Sequence, residues 1–352
     1  DPIDLLSGSL SWNYTDLTLS GKYPLTFSRT YLSGMRELDD SGLGNGWSHN
    51  SDYRAEIFEG NVDVYLPGGG HIYYYTEYDG TLTTNKGNSW HMEKSGDGYF
   101  MRNDDGRTVL FDGDGHAVRI TEAGGDVINL SYDGDHLTKI SNTSGSLTLS
   151  YSGDHITSVS DSAGRTMSLS YAGSDLASVQ NPDGDSFNYA YDENHCLTQI
   201  TDLNGNLILE NTYDDTGHIT EQKMPDRGKM TMTYDPDNRT NTYSEEGGDT
   251  QTVVYDDRFR IISFTDDAGT ETYEYDELNR RTSETDRNGN TTTYEYDGEY
   301  TYPSAITHPD GTVNRYTYDS NGQITETVQK DNTTITNTYD GDGRLLSTKD
   351  AN

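Results

Sequence analysis

The feature that most constrains this chain is a short phrase that returns at a nearly fixed interval. The stretch "TYEYDELNRRTSETDRNGNTTTYEYD", residues 272–297, ends almost as it begins. An aromatic residue, in most cases followed by Asp, recurs along the chain at spacings of 19 to 22 residues. These aromatic positions are Phe111, Tyr132, Tyr151, Tyr171, Tyr191, Tyr213, Tyr234, Tyr255, Tyr275, Tyr296, Tyr318 and Tyr339. A fixed period of this kind indicates a repeat architecture of about twelve units.

One turn of each unit directly follows the aromatic residue. The residues four positions after the aromatic residue include Gly115, Gly217, Asn238, Asn279, Gly322 and Gly343. Gly and Asn tolerate positive φ, and the Asp beside them can accept hydrogen bonds from backbone amides two residues on. His195 and Phe259 occupy this position in two other units, so we expect these two turns to have a different shape.

A second turn precedes the next aromatic residue by six to eight residues. Its glycines are Gly145, Gly164, Gly184, Gly205, Gly228, Gly248, Gly269, Gly289 and Gly311. Gly205 and Gly289 each follow Asn, and Asn-Gly is a strong signal for a β-hairpin.

The stretches between the turns have six to eight residues and are rich in Thr, Tyr, Ile and Val. Alternation places Tyr273 with Tyr275, and Tyr316 with Tyr318, on one face of a strand. Each unit is therefore predicted to be a β-hairpin. In series the hairpins predict an all-β fold, a long antiparallel meander with one Tyr-rich face and one face of Asp, Thr and Glu.

The first part of the chain lacks this period. It contains all three Trp residues, namely Trp12, Trp47 and Trp90. We expect residues 1–105 to be an irregular β region that caps the first repeat, because a repeat array needs its terminal edge covered. The repeat array itself is then residues 106–352.

Composition excludes several classes of function. The hydrophobic fraction is 30% and the mean hydropathy is −0.88, yet the 28 Tyr residues argue against disorder. A net charge of −36 argues against nucleic acid and anionic membranes as partners. A single cysteine, Cys196, cannot form an intrachain disulfide, and the sequence lacks an apolar run long enough to span a membrane. The N-terminus does not resemble a signal peptide, so we expect a piece of a longer chain.

Two motifs point to carboxylate chemistry. The triplet Asp215-Thr216-Gly217 occurs in aspartic proteases, but it lies at a turn where sister units have "SNG" or "GDG", and it has no second copy. The "DGDG" stretches at residues 112–115 and 340–343 suggest calcium, although Arg344 stands where a ligand is needed. Turn formation is the preferred interpretation of both motifs, and weak surface calcium binding stays open.

Other candidate sites have equally simple structural explanations. His195 and Cys196 resemble a base and a nucleophile, but adjacent strand residues point to opposite faces. The three glycines at 68–70 are not followed by the Lys-Ser/Thr of a phosphate loop. The nine His residues lack metal-binding spacing, so no metal or cofactor is expected. The Tyr residues could stack on sugars, although their regularity favours a wall or core role.

The repeat resembles a known family. "YDSNGQITET" and "YDGDGRLLST" resemble the YD repeats, or RHS repeats, of bacterial RHS and wall-associated toxins, insecticidal Tc toxin components and teneurins. The N-terminal stretch, with "GLGNGWSHN", is similar to the region that precedes such repeats in RHS proteins. The resemblance covers essentially the whole chain. It implies a curved or spiralling sheet that forms a hollow shell around a C-terminal toxin domain.

The sequence departs from that family at one motif. The Asp-Pro steps begin at Asp1 and Asp235, and neither continues to the Gly-Leu of the family's self-cleavage segment. Self-cleavage and toxicity are therefore not expected of this chain.

These observations favour a non-catalytic shell or scaffold segment, the N-terminal portion of an exported bacterial protein that is secreted or lies at the cell surface. Its expected partners are the remainder of the same polypeptide and, through its exposed last strand near Tyr339, another chain. The alternative is a surface adhesion or carbohydrate-binding module. An enzyme ranks third, because no cluster of titratable groups stands outside the repeat.

Overall fold

The computed structural model describes residues 2–38, 41–85, 88–298, 301–319, 322–340 and 345–350. Within these ranges the regular elements are β-strands, apart from one turn of 3-10 helix at Ser33–Met35. The prediction of an all-β fold is thus confirmed. None of the described residues forms a helix that is long and apolar enough to cross a membrane.

The chain divides into two compact units. The first unit comprises Asp1–Thr84, Trp90–Thr233 and Ser244–Gly247, and the second unit comprises Asn85–Ser89, Tyr234–Tyr243 and Gly248–Asn352.

The first unit begins with two small antiparallel sheets. The three-stranded sheet contains β1 (Ser11–Leu19), β2 (Leu25–Leu32) and β3 (Trp47–His49). The four-stranded sheet contains β4 (Arg54–Phe58), β5 (Asn61–Leu66), β6 (Gly70–Thr76) and β7 (Leu82–Thr83).

A 26-stranded sheet, β8 to β33, follows these two small sheets. In the first unit its strands are β8 (Trp90–Ser95), β9 (Gly98–Asn103), β10 (Thr108–Phe111), β11 (Ala117–Thr121), β12 (Val127–Asp133), β13 (His136–Asn142), β14 (Gly145–Ser152), β15 (His155–Asp161), β16 (Thr166–Ala172), β17 (Asp175–Gln180), β18 (Ser186–Tyr191), β19 (Leu197–Asp202), β20 (Leu207–Tyr213), β21 (Ile219–Met224) and β22 (Gly228–Asp235). The last two residues of β22 belong to the second unit.

The remaining strands belong mainly to the second unit. They are β23 (Thr240–Glu245), β24 (Thr250–Tyr255), β25 (Ile261–Asp266), β26 (Gly269–Tyr275), β27 (Arg281–Thr285), β28 (Thr291–Glu295), β29 (Ala305–Thr307), β30 (Val313–Tyr318), β31 (Ile324–Val328), β32 (Thr334–Tyr339) and β33 (Leu345–Asp350).

Strands of the long sheet are neighbours in chain order and pair antiparallel, as β14 does with β15 and β26 does with β27. The predicted meander of hairpins is therefore confirmed. In most hairpins the register shifts at the aromatic residue of the repeat, as between Ser150 and Tyr151 and between Glu274 and Tyr275. Such β-bulges re-aim the side chain that they carry.

One face of the long sheet carries the apolar residues, as the alternation predicts. On β14, Leu147 and Leu149 are 0% and 3% exposed, whereas Thr148 and Ser150 between them are exposed. Tyr151 continues the same alternation. We call this side of the long sheet the Tyr face.

The N-terminal segment, which we define as residues 2–38 and 41–66, packs on the Tyr face of the first unit. Trp47 of β3 lies against Tyr189 of β18 with ring centroids 5.1 Å apart, and Tyr14 of β1 lies 4.5 Å from Phe187. We expected residues 1–105 to cap the edge of the first repeat. Within these residues, β8 and β9 cover that edge, because β9 pairs with β10, and the N-terminal segment lies against the face of the repeats. The boundary near residue 105 stays a prediction.

Candidate functional site

The turn after each aromatic residue is built around the Asp of the repeat. Asp276 Oδ1 accepts the amide N–H groups of Leu278 at 2.9 Å and Arg280 at 3.0 Å. The amide of Asn279, whose φ is 63°, donates to the Asp276 carbonyl at 3.2 Å. Arg280 Nε donates to Asp276 Oδ2 at 2.7 Å. The expected bond to the amide two residues on is present, and the bond to the fourth residue is an addition that sequence reasoning missed.

The opposite edge of the sheet uses the same turn, which sequence reasoning also missed. Asp286 Oδ1 accepts the amides of Asn288 and Asn290 at 2.9 and 2.8 Å, and the Gly289 amide donates to the Asp286 carbonyl. Asp161 and Asp202 accept the equivalent pairs of bonds. The signal was in the sequence, because Asp stands three residues before Gly in each of these turns.

Two turn expectations were wrong. His195 and Phe259, expected in turns of a different shape, have φ of 61° and 57° and donate to the carbonyls of Asp192 and Asp256 like the other residues at this position. The bonds to the Asp fix a left-handed residue there, which costs an L-residue about 1–2 kcal/mol. In the turn after Tyr234 the left-handed residue is Arg239 and not Asn238.

The predicted Gly343, within residues 341–344, lies outside the described residues. The glycines Gly205, Gly289 and Gly311, which we singled out in the second turn, have φ of 80°, 80° and 79°. The turn after Tyr243 has its left-handed glycine at Gly247, one residue before the expected Gly248.

The repeat tyrosines tie neighbouring hairpins together. Tyr171 Oη donates to the Ile156 carbonyl at 2.8 Å, and Tyr296 Oη donates to the Arg281 carbonyl at 2.7 Å. In each case the acceptor lies 14 to 16 residues earlier, in the preceding hairpin. The tyrosines that make this bond are Tyr151, Tyr171, Tyr191, Tyr213, Tyr275, Tyr296, Tyr318 and Tyr339. The bond explains physically why the repeat carries Tyr where Phe would pack as well.

In several hairpins the residue that follows the turn covers the next tyrosine ring. In three hairpins of the first unit it is a His, as where the His136 and His155 rings stack on Tyr151 and Tyr171 at 4.4 and 4.3 Å. In the second unit it is an Arg, with the Arg280 guanidinium 4.4 Å from the centre of the Tyr296 ring. Each ring is thus held between its own strand and the previous turn.

A buried ion pair anchors the N-terminal segment to the Tyr face. Arg29 on β2 and Asp16 on β1 are joined at 2.7 Å, and both side chains are 0% exposed. Arg29 Nη1 donates to Tyr189 Oη at 2.6 Å, and its guanidinium lies 5.0 Å from the centre of the Trp47 ring. Burial raises the pKa of Tyr189 to about 12, although Arg29 opposes this shift. The hydroxyl therefore stays protonated at neutral pH.

Aromatic hydroxyls complete this anchor. Trp47 Nε1 donates to Tyr191 Oη at 2.8 Å, which in turn donates to the Leu176 carbonyl. Tyr31 Oη donates to the His195 carbonyl and accepts the Leu197 amide, both at 2.9 Å. Burial raises the pKa of Tyr31 and of Tyr191 well above its ordinary value. The repeat tyrosines of the first unit thus bind a second polypeptide segment of the same chain.

The second "DGDG" stretch reaches into residues 341–343, which lie outside the described residues. In the first, carboxylate and imidazole atoms of Asp112, Asp114 and His116 lie within 4.8 Å of one another. Asp112 Oδ1 already accepts the amides of Asp114 and His116 at 3.1 and 2.9 Å, as the Asp of any repeat turn does. Weak calcium binding there stays a prediction, and turn formation accounts for the geometry.

The other candidate catalytic and binding residues occupy structural positions in turns and in the core. Asp215 is an exposed residue of the turn in which Asp214 accepts the Thr216 amide at 2.9 Å. Cys196 is 1% exposed, and burial raises the pKa of its thiol to about 11. The His195 ring is bonded to Asp175 at 2.9 Å. A protonated thiol beside an engaged imidazole is not an activated nucleophile. Gly68 and Gly69 lie in the turn between β5 and β6, and Gly70 is the first residue of β6.

Comparisons with known proteins agree with this geometry. Residues 202–329 match the family model described as Teneurin YD-shell, and residues 1–75 match a domain of unknown function, DUF6531. No curated protein matches the chain.

Among solved structures, the chain is similar to TcdB2-TccC3-TEV and to TcdB2-TccC3 without its hypervariable C-terminal region. Each has a TM-score of 0.51 at 9% identity, over 97% of this chain and 23% of the other. The chain therefore spans about a quarter of the length of these proteins and shares their fold. The Tyr-Asp period, the family-model matches and the shared fold together identify the chain as a YD-repeat (RHS-repeat) protein.

Proposed function

We propose that this chain is a wall segment of a YD-repeat shell, from an exported bacterial protein that is secreted or displayed at the cell surface. In this proposal the wall shelters a toxin or effector that lies further along the same polypeptide. The chain's own role is structural and non-catalytic.

One observation carries the proposal: the Tyr face of the first unit already holds a length of polypeptide. The N-terminal segment is bound there through Arg29, Tyr31 and Trp47, which contact repeat tyrosines. The matches to the YD-shell model and to the fold of TcdB2-TccC3 support the same interpretation.

The experiment compares protease resistance with and without the wall. We would express the complete gene product that contains this chain, and separately the residues that follow it, and digest both with trypsin. Sequences beyond the repeats should resist digestion in the complete product and be cleaved rapidly when expressed alone. Equal cleavage in the two samples would contradict a sheltering role.

A non-catalytic role has its own test. The 352-residue chain is screened for peptidase and esterase activity beside the variants Asp215→Asn and Cys196→Ser. We expect no activity that depends on either residue. A hydrolytic signal that disappears in one of the variants would show that the chain is an enzyme.

A further inference from the structure

The first unit contains a cavity of about 560 Å³ beside the turns that follow Phe111, Tyr132 and Tyr151. The N-terminal segment is bonded to the chain on both sides of it. On one side a segment carbonyl accepts the Ile156 amide at 2.8 Å, and on the other the Ala55 amide donates to a turn carbonyl at 2.9 Å. Between these contacts no hydrogen bond joins the described residues of the segment to the middle turn. The cavity occupies this gap, and its volume lies within the range of ligand sites, roughly 300–1,000 Å³.

The lining of the cavity is strongly acidic. Of the described residues that line it, one carries a guanidinium, Arg54, and that group already lies 4.3 Å from the centre of the Tyr65 ring. The residues that carry carboxylates are Asp52, Glu56, Asp114, Asp135 and Asp154. Such an excess of negative charge around one cavity attracts cations and repels anions.

The acidic groups are spread along the cavity and are not gathered around one point. Among the described residues, three ligand atoms lie within 4.8 Å of one another at Asp112, Asp114 and His116, and Asp135 and Asp154 belong to no such group. The side chains of Asp135 and Asp154 are 99% and 98% exposed, and each uses Oδ1 for a His ring. Within the described part of the chain their Oδ2 atoms make no hydrogen bond. This arrangement suits an extended organic cation that enters from solvent better than a metal ion.

Two donors without partners also line the cavity. His49 is 4% exposed and its Nδ1 accepts the Ser51 amide at 3.2 Å, so the ring proton lies on Nε2. Burial lowers the pKa of His49, so its ring stays neutral. The Tyr132 hydroxyl lacks the bond to the preceding hairpin that its sister tyrosines make, and neither it nor His49 Nε2 has a hydrogen-bond partner among the described residues. Because a buried donor without a partner is costly, both groups indicate an acceptor on the ligand.

The second unit shows which cation fits beside such turns. There Arg280 bonds the Asp of its turn, and its guanidinium lies 4.4 Å from the centre of the Tyr296 ring. Arg260 is placed in the same way, 5.0 Å from the centre of the Tyr275 ring. The turns beside the cavity contain no arginine in their sequence. They therefore offer carboxylates to a guanidinium that has to come from elsewhere.

We propose that this cavity is a docking site for an arginine side chain of a partner protein, presented on a basic peptide. The guanidinium pairs with the Oδ2 atoms of Asp135 and Asp154, because its fork of N–H donors matches carboxylates better than a lysine ammonium does. A carbonyl of the same peptide accepts from Tyr132 Oη or His49 Nε2. The net charge of −36 steers such a peptide towards the chain. The site does not depend on the sheltering role, since it needs the first unit alone.

The test is fluorescence anisotropy of a fluorescein-labelled Gly-Arg-Gly-Arg-Gly peptide titrated with the 352-residue chain. We expect a Kd on the order of 100 μM at low salt, and weaker binding at physiological salt. The matching peptide with Lys in place of Arg should bind about fivefold more weakly, because it cannot form bidentate pairs. EDTA should leave the affinity unchanged.

Variants locate the binding. Asp135→Asn combined with Asp154→Asn should weaken it roughly tenfold. The matched control, Asp183→Asn combined with Asp257→Asn, removes the same charge at exposed turns outside the cavity and should leave the affinity unchanged. Tyr132→Phe should weaken binding about threefold, since it removes one donor. Thermal melts show whether each variant is folded.

Four results would overturn the proposal. They are absence of binding at low salt, equal affinity for the Lys peptide, loss of binding in EDTA, and equal weakening by the cavity pair and the control pair. The last result would show that the peptide responds to the overall charge of the chain and not to this cavity.

Discussion

The two units are built from the same repeat and differ in what lies on the Tyr face. In the first unit the N-terminal segment covers it, and residues such as Leu147, Leu176 and Ile200 are 0% exposed. In the second unit, among the described residues from β25 to β33, only Ala305 is buried. The hairpin meander therefore forms with or without the N-terminal segment over its Tyr face. A closed apolar core in this fold, in contrast, needs that second layer.

The two units are accordingly held by different forces. Contacts in the first unit join residues about 160 positions apart, such as Arg29 with Tyr189. The second unit relies on contacts between neighbouring hairpins, such as Arg287 with Asp266 at 2.6 Å and the tyrosine hydroxyl bonds. Changes to the covering layer should thus unfold the first unit selectively. Because all three Trp residues lie in the first unit, Trp fluorescence reports on it.

The largest difference between the units should come from their arginines. Arg29→Met leaves Asp16 buried without its partner, and we expect a loss of about 3–5 kcal/mol in the free energy of unfolding of the first unit. Arg281→Met removes a half-exposed pair with Glu284, worth about 0–1 kcal/mol. Urea unfolding followed by Trp fluorescence and by circular dichroism measures both losses.

A double variant separates the ion pair from the packing. Asp16→Leu combined with Arg29→Met should recover much of the loss, because no uncompensated charge remains. If Arg29→Met alone costs less than the Arg281 variant, the buried pair does not anchor the N-terminal segment.

Turn glycines give the next comparison. Gly115 and Gly289 both have positive φ, but a Cβ on Gly115 would lie 1.9 Å from the Ala55 carbonyl oxygen, whereas a Cβ on Gly289 meets no atom within 4 Å. Gly289→Ala should cost about 1–2 kcal/mol for the left-handed backbone alone. Gly115→Ala should cost roughly 2–5 kcal/mol, since it adds a steric clash. Thermal melts that rank the two variants in the opposite order would show that the N-terminal segment does not touch this turn.

The tyrosine hydroxyl should matter more where the face is covered. Tyr191→Phe deprives both Trp47 Nε1 and the Leu176 carbonyl of a partner, so we expect a loss of about 1–3 kcal/mol. Tyr296→Phe removes one bond to the Arg281 carbonyl at a more exposed site and should cost about 0.5–1.5 kcal/mol. If chemical denaturation shows equal losses in the free energy of unfolding for the two variants, the N-terminal segment does not strengthen the contribution of the tyrosine hydroxyl.

The smallest effect is a dependence on pH in the second unit. The bond from Arg260 lowers the pKa of Asp256 from 3.8 to about 2. A carboxylate with a lowered pKa stabilises the fold above the unfolded value, and this contribution is lost as the pH falls through the folded value. The Asp256→Asn variant should therefore have a lower free energy of unfolding than the unaltered chain above pH 3.8, and this difference should disappear as the pH approaches 2.

The exposed neighbour provides the control for that measurement. Asp257→Asn changes the same charge without removing the bond to Arg260, so its urea midpoint should follow that of the unaltered chain across the same pH range. If the urea midpoint of Asp256→Asn is still below that of the unaltered chain at pH 2, the Asp256–Arg260 pair is not the source of the difference.

The sequence predicted the hairpin unit, the meander and most turn glycines, because these depend on residues close together in the chain. It missed the ion pair of Arg29 with Asp16 and the docking of Tyr31 and Trp47 on β18, since no local pattern shows which distant residues meet. The turn at His195 was predicted wrongly, because the prediction followed the preference of Gly and Asn for positive φ. The hydrogen bonds of Asp192 impose the same backbone conformation on His195.

The central claim is that the N-terminal segment covers the Tyr face of the first unit while that of the second unit is open. Nitration of tyrosines with tetranitromethane, read by mass spectrometry, tests it directly. Tyr189 and Tyr191 should react slowly, Tyr294 and Tyr316 should react quickly, and Arg29→Met should accelerate only the first pair. Similar rates at all four tyrosines in the unaltered chain would contradict the account.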